Sequence, residues 1–213
     1  MSASRDVLKV RLVEGALQMG MTLSAQQADD LLAYLLLFEK WNKAYNLSAV
    51  RDIEQMLPRH LLDSLSVVPY IDAENYIDVG TGGGLPGIPL AIMFPEKRFT
   101  LLDSNGKKSR FQFQAITELK LSNVTVHNGR VEEFQPDELF DGVISRAFAS
   151  LKDMTDGCHH LLKANGRFLA MKGIYPEDEL SDLGKHYKVS ASYPLEVPNE
   201  DGERHLLIIT AEH

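Results

Sequence analysis

Apolar residues recur at helical spacing through the first third of the chain. Between Ala25 and Trp41 they fall at Ala28, Leu31, Leu32, Leu35, Leu36 and Phe38, the rhythm of a helix with one buried face. Thr22 or Ser24 serves as N-cap, because either hydroxyl can accept from a first-turn N–H. Residues 1–70 read as helical overall. A further helix is predicted over Ile53–Leu65, and Pro58 inside it predicts a kink or break, since proline lacks an N–H and crowds the preceding turn. From Asn75 short apolar runs alternate with helical stretches, the signature of an α/β parallel sheet. Strands are placed at Tyr76–Val79, Phe99–Asp103, Val124–Asn128, Phe140–Ser145, Gly166–Lys172, Tyr187–Tyr193 and Arg204–Thr210. Helices fall between them at Pro86–Met93, Lys107–Leu119, Leu151–Leu162 and, shorter, Glu177–Gly184. A linker at Pro69–Glu74 divides a helical extension (1–74) from the sheet region (75–213). The last two strands are joined by a polar loop with no room for a crossover helix, so they must pair antiparallel.

Composition narrows the class. A chain of 213 residues with 44% hydrophobic content suits one globular domain with appended elements. No apolar run approaches the ~20 residues of a membrane span, and Met1–Gly20 is too charged for a secretory signal. A soluble cytoplasmic protein is expected. The one cysteine, Cys158, excludes an internal disulfide and a cysteine-based zinc cluster. The net charge of −8 counts against general coating by nucleic acid but allows a local basic face.

The glycine-dense segment Tyr76–Gly87 carries the chemistry. It reads as a buried strand, a turn, and a helix opening near Pro86, whose free N–H groups suit a nucleotide-like cofactor. Gly82, Gly84 and Gly87 satisfy the dinucleotide pattern G-x-G-x-x-G. Asp78, Gly80, Gly82 and Gly84 satisfy D-x-G-x-G-x-G, which resembles the first motif of class I methyltransferases. S-adenosylmethionine is cationic and carries no phosphate, so Asp78 suits it and would repel a pyrophosphate. Asp78 is therefore assigned to the cofactor side, the alternative being a cap for local N–H donors. Asp103, at the next strand end, is placed to hold ribose hydroxyls; a helix cap there is the alternative, with Asn105 or Ser104 competing. The terminal hairpin favours the methyltransferase over a nicotinamide-binding oxidoreductase, which would need another βαβ unit.

Other strand ends complete a crevice. Gly129–Glu133 offers a backbone N–H and an acid to an adenine ring, or is simply a solvated loop. Ser145–Phe148 lacks the polar tetrad of amino-directed nucleic-acid methyltransferases. Arg146 there would meet a cofactor carboxylate or a substrate phosphate, or else pair with Asp141 or Glu132. Phe148 is a candidate for base stacking, or a core residue. Cys158 falls mid-helix as a packing residue. His159 and His160 face different sides of a helix and make no metal site. His60 and Asp63 stand one turn apart, as a structural pair or a functional one.

Together, Trp41–Leu47, Arg59–Ser64, Ile77–Gly82, Gly84–Pro89 and Gly142–Ala147 resemble the bacterial small-subunit rRNA (guanine-N7) methyltransferases, formerly called glucose-inhibited division protein B. The resemblance covers almost the whole chain. It implies a Rossmann-like class I methyltransferase fold: a seven-stranded sheet with an antiparallel C-terminal hairpin behind an N-terminal helical extension. It also implies methyl transfer from S-adenosylmethionine to guanine N7 in the decoding-region loop of 16S rRNA, without a metal. The substrate would be part of a small-subunit ribosomal particle. The family's cofactor contacts fall on Gly80, Leu85, Val131, Glu132 and Arg146. Asn46, Arg59, His60, Lys172 and Arg204 match positions expected to meet RNA or guanine, with Arg146, Phe148 and Lys172 positioning the substrate. Lys9, Arg11 and Lys43 are further candidates for a basic face. Gly83 departs from the proline common in relatives and is expected to loosen the turn. Guanine N7 has no proton to lose, so no acid–base residue is required. The alternatives are a methyltransferase of small molecules or proteins, and a non-catalytic ribosome-assembly factor.

Overall fold

The computed structural model describes residues 4–212. Met1–Ala3, the opening of the expected helical stretch, and His213 lie outside the described residues. Seven strands form one sheet in the order β3-β2-β1-β4-β5-β7-β6. They are β1 Asn75–Val79, β2 Arg98–Asp103, β3 Val124–Asn128, β4 Phe140–Ser145, β5 Leu162–Lys172, β6 Tyr187–Pro194 and β7 His205–Ala211. The first five run parallel. β7 inserts antiparallel between β5 and β6, the hairpin its short polar loop demands. The order reverses between β1 and β4, and in open α/β sheets ligands bind beyond the carboxyl ends at such a switch point.

β1 is buried at every residue because both sheet faces are covered. Successive side chains point to opposite layers. Tyr76 joins a core built with helices α1 Arg5–Gln18, α2 Ala25–Tyr45, α5 Gly87–Met93 and α6 Gly106–Glu118. Ile77 joins the opposite core, under α7 Leu151–Cys158. The N-terminal helices thus share a core with the sheet rather than building their own: Leu12, Leu31 and Phe38 pack in the cluster that holds Phe99 and Phe111.

Ser24, not Thr22, caps α2, and Gln27 closes a capping box with it. The helix runs past the apolar stretch to Tyr45, where Trp41 and Tyr45, one turn apart, stack at 4.9 Å. At Pro58 the α-helix is interrupted, as expected, but by a π-helical turn rather than a stop. The chain runs on through α3 Ile53–Met56, a π-helical turn Leu57–Leu62 and α4 Asp63–Leu65. The wider turn absorbs the missing N–H and the proline ring, and such turns often mark functional sites. β5 starts at Leu162, earlier than expected. Phe140 pairs with Leu162 and Gly142 with Arg167, so the extra residues bulge out of register.

Candidate cofactor and RNA site

The turn after β1 needs glycine for two different reasons. Gly80, Gly82 and Gly84 adopt φ of +68°, +62° and +87°, and they are the glycines of D-x-G-x-G-x-G. Gly87 is not among the positive-φ glycines; a Cβ there would lie 2.2 Å from Leu101 Cδ2. Asp78 sits under the turn, 1% exposed. Its Oδ2 accepts from Thr81 Oγ1 at 2.6 Å and from the Gly87 N–H at 2.8 Å. Asp78 therefore acts as the cap for local donors, and its carboxylate fills the helix start where a pyrophosphate would bind. Its Oδ1 is buried without a partner. Burial pushes the Asp78 carboxyl up to about 6, against the pull of Thr81 and Gly87.

Gly83 does not loosen this turn. The Tyr34 hydroxyl donates to the Gly83 carbonyl at 2.6 Å, and the Phe38 ring stands where a Gly83 side chain would go, 2.2 Å from an ideal Cβ. Gly82 is held from the other side: its N–H donates to Asp103 Oδ2 at 2.8 Å, and its carbonyl accepts from Gln112 Nε2 at 2.7 Å. Asn105 takes the role of cap for α6. Asp103 anchors the turn while keeping a place on the crevice wall. Tyr34 and Gln112 were not singled out by the sequence. The one available signal was a tyrosine on the apolar face of α2, whose buried hydroxyl had to find a partner.

Two cavities open beside the turn, about 470 and 440 Å³, and Gly80 and Ala147 line both. Asp103, Val131, Glu132 and Phe148 line the smaller one. Phe148 thus faces the expected cofactor contacts, not the expected substrate side. Gly82, Leu85 and Arg146 line the larger, together with Arg59, His60, Lys172 and Arg204. Asp78 and Gly84 line neither. Asn46 lies off both as the left-handed C-cap of α2, where its Oδ1 accepts from Arg51 at 2.5 Å. Lys9, Arg11 and Lys43 stay outside as well, paired with Asp29, Glu54 and Glu39.

The larger lobe is organised by Asp63, a 4% exposed carboxylate. It accepts from Arg146 Nη1 at 2.6 Å and from Arg204 Nε at 3.0 Å. Arg146 therefore pairs with neither Asp141 nor Glu132; Asp141 takes Lys163 at 2.8 Å. Nor do His60 and Asp63 bond each other: both Asp63 oxygens are taken by the arginines, and His60 turns to Ser48. His60 Nε2 bonds Ser48 Oγ at 2.8 Å, and its ring meets Phe38 edge-on at 5.4 Å. Burial, reinforced by Arg146, pushes the His60 imidazole down to about 4, so it is neutral at physiological pH. Lys172 donates to the Ala149 carbonyl at 3.1 Å and pairs with Glu179 at 2.9 Å. Cys158 packs in the α7 core, its thiol pushed up to about 12 by burial. Among the described residues there is no cluster of His, Cys, Asp or Glu able to hold a metal, and no helix long and apolar enough to cross a membrane.

Known proteins match this architecture. The SAM-dependent methyltransferase from Thiobacillus denitrificans, solved with S-adenosyl-L-homocysteine, aligns with a TM-score of 0.55 at 11% identity, over 83% of this chain and 98% of its own. The mitomycin 7-O-methyltransferase MmcR aligns with a TM-score of 0.62 at 16% identity, over 99% of this chain and 69% of its own. At such identities the likeness establishes the fold, that of class I S-adenosylmethionine-dependent methyltransferases. Sequence comparison is more specific. The ribosomal RNA small subunit methyltransferase G of Cellvibrio japonicus is 62% identical over 214 residues, 98% of each chain. Its namesake in Pseudomonas aeruginosa PAO1 is 56% identical over 199 residues, 93% of each. The model of the family described as rRNA small subunit methyltransferase G matches residues 27–207, and this chain belongs to that family.

Proposed function

We propose that this protein methylates N7 of a guanine in the decoding-region loop of 16S rRNA, within a small-subunit particle in the cytoplasm. One observation carries the proposal: the two lobes meet at the glycine turn, and the larger is ringed by Arg59, Arg146, Lys172 and Arg204. Such a lobe accepts a phosphate-bearing substrate next to a cofactor held at β1.

The residues suit S-adenosylmethionine. The buried Asp78 carboxylate keeps one oxygen free of protein partners, an environment that favours a cation nearby and disfavours a phosphate. The Gly82 side of the turn is open, with only Lys108 Nζ at 4.0 Å from an ideal Cβ. In this scheme Asp103 holds the ribose, Val131 and Glu132 the adenine edge, and Arg146 the carboxylate. The cofactor supplies an electrophilic methyl group that the in-plane lone pair of guanine N7 can take up. The chain's own contribution is orientation and exclusion of water. Phe38 and His60 form a half-apolar wall, and Arg59 and Arg204 stand at the mouth, where the RNA backbone enters. The neutral, Ser48-bound His60 presents its ring to the base as part of that wall without titrating in the working range.

With no general base at work, kcat is expected to be nearly flat from about pH 6.5 to 8.5. A log-linear rise with a single ionisation in that window would contradict the mechanism. The direct test is mass mapping of 16S rRNA from cells with and without the gene. Loss of one N7-methylguanosine supports the assignment; an unchanged map refutes it. Parallel assays on naked rRNA, particles and a metabolite panel identify the substrate.

A further inference from the structure

Glu200 occupies the loop between β6 and β7, and its side chain is only 11% exposed. One carboxylate oxygen accepts from Arg59 Nε at 3.0 Å, and the other lies 3.5 Å from Arg204 Nη2. The loop carries three more acids, Glu196, Asp201 and Glu203, none of which forms an ion pair among the described residues. The two arginines come from the π-turn and from the foot of β7, and both line the larger lobe. Glu200 lies just outside it, lining an adjoining surface depression with Arg11 and Arg59.

The two ends of this network differ. Arg204 is already anchored from inside, its Nε on Asp63 at 3.0 Å and its Nη1 on the Glu203 carbonyl at 2.8 Å. It does not need Glu200 to keep its place. Arg59 is half-exposed and has Glu200 as its side-chain partner. The outer contacts are therefore the exchangeable ones: the Arg59 guanidinium faces solvent, which screens its attraction to Glu200. What they surround is an anion with two acceptor oxygens, each facing a separate guanidinium. The two non-bridging oxygens of a phosphodiester present the same pattern.

We infer that Arg59 and Arg204 together form a single phosphodiester subsite for the RNA backbone, closed in the free protein by Glu200 acting as a resident surrogate. The inference rests on the proposed RNA substrate and deepens it. Glu200 neutralises the pair until a backbone phosphate displaces it, so the subsite stays closed to weak polyanions. A substrate that makes many other contacts can open it.

The test is a binding titration of full-length protein with small-subunit RNA or particles across a salt series. Glu200→Gln keeps the shape and removes the charge. Affinity at low salt is expected to rise about threefold to tenfold, the worth of one charge pair near the protein surface. The slope of log K against log salt should steepen by up to ~0.7 to 0.9, one further phosphate contact. Placing Glu200→Gln on an Arg59→Ala background should cancel most of the gain. Titration with S-adenosylmethionine reports whether the variant keeps its cofactor pocket; should it not, Glu200→Ser replaces it in the same series. Unchanged or weakened RNA affinity in a variant with intact cofactor binding overturns the subsite. Failure of the wild-type chain to methylate or bind the RNA overturns the functional proposal and the subsite with it.

Discussion

The two sides of the crevice are built on opposite principles. The glycine turn is a closed structure: Asp78, Asp103, Gln112 and Tyr34 each hold it by a hydrogen bond of 2.6 to 2.8 Å, all from buried side chains. At the rim, Arg59 and Lys172 are held by ion pairs of 3.0 and 2.9 Å to Glu200 and Glu179 on the loop and short helix opposite. A small invariant ligand rewards a preformed cradle, because rigidity lowers the ordering cost of binding. A long polyanion is met better by charges that can exchange partners.

The contrast predicts steep losses at the turn and shallow ones at the rim. Gly80→Val should cost most. The residue would take φ near +68°, and its Cβ would fall 2.6 Å from that of Ala147, at the junction of the lobes. Cofactor affinity by calorimetry should drop roughly a hundredfold or more, while circular dichroism stays native. An affinity within threefold of wild type would show that the turn is not the cradle.

Asp78 comes next, and its effect is on stability. Its carboxyl titrates at about 6 in the folded chain against 3.8 unfolded. The folded state thus holds the proton more tightly, and the contribution is fully present below about pH 3.8 and lost as pH rises through 6. Urea unfolding should show a component on the order of 2 kcal/mol that declines from about pH 4 to 6.5. Asp78→Asn should lack it. An identical pH profile for both proteins would remove the buried charge from the account.

Arg146→Ala links the two sides. It removes a guanidinium proposed to meet the cofactor and leaves Asp63 with Arg204 alone. Cofactor affinity should fall about tenfold, the worth of a charge-assisted hydrogen bond. Equal loss with a neutral cofactor analogue lacking the carboxylate would argue against that contact. Arg59→Ala should do least: RNA affinity lower by about two- to fivefold, cofactor affinity unmoved and the salt slope shallower. A drop of a hundredfold there would make the rim as rigidly built as the turn.

Much of this was legible without coordinates. Helical periodicity located α2, and the short polar loop forced the antiparallel hairpin. D-x-G-x-G-x-G picked out the glycines that take positive φ. These are local properties: side-chain period, turn chemistry and chain reach act over a few residues, so the amino-acid order determines them directly. Which charge meets which is another matter. Arg146 and Asp63 are 83 residues apart, and Arg204 and Asp63 are 141. Their union depends on the sheet order, which brings the end of β4 and the foot of β7 to the helical segment that carries Asp63. Likewise Asp78 became a buried cap, and Phe148 came to line the smaller lobe, only when the helices packed against the sheet. Electrostatic partnership acts through space, and only the folded chain decides which groups become neighbours.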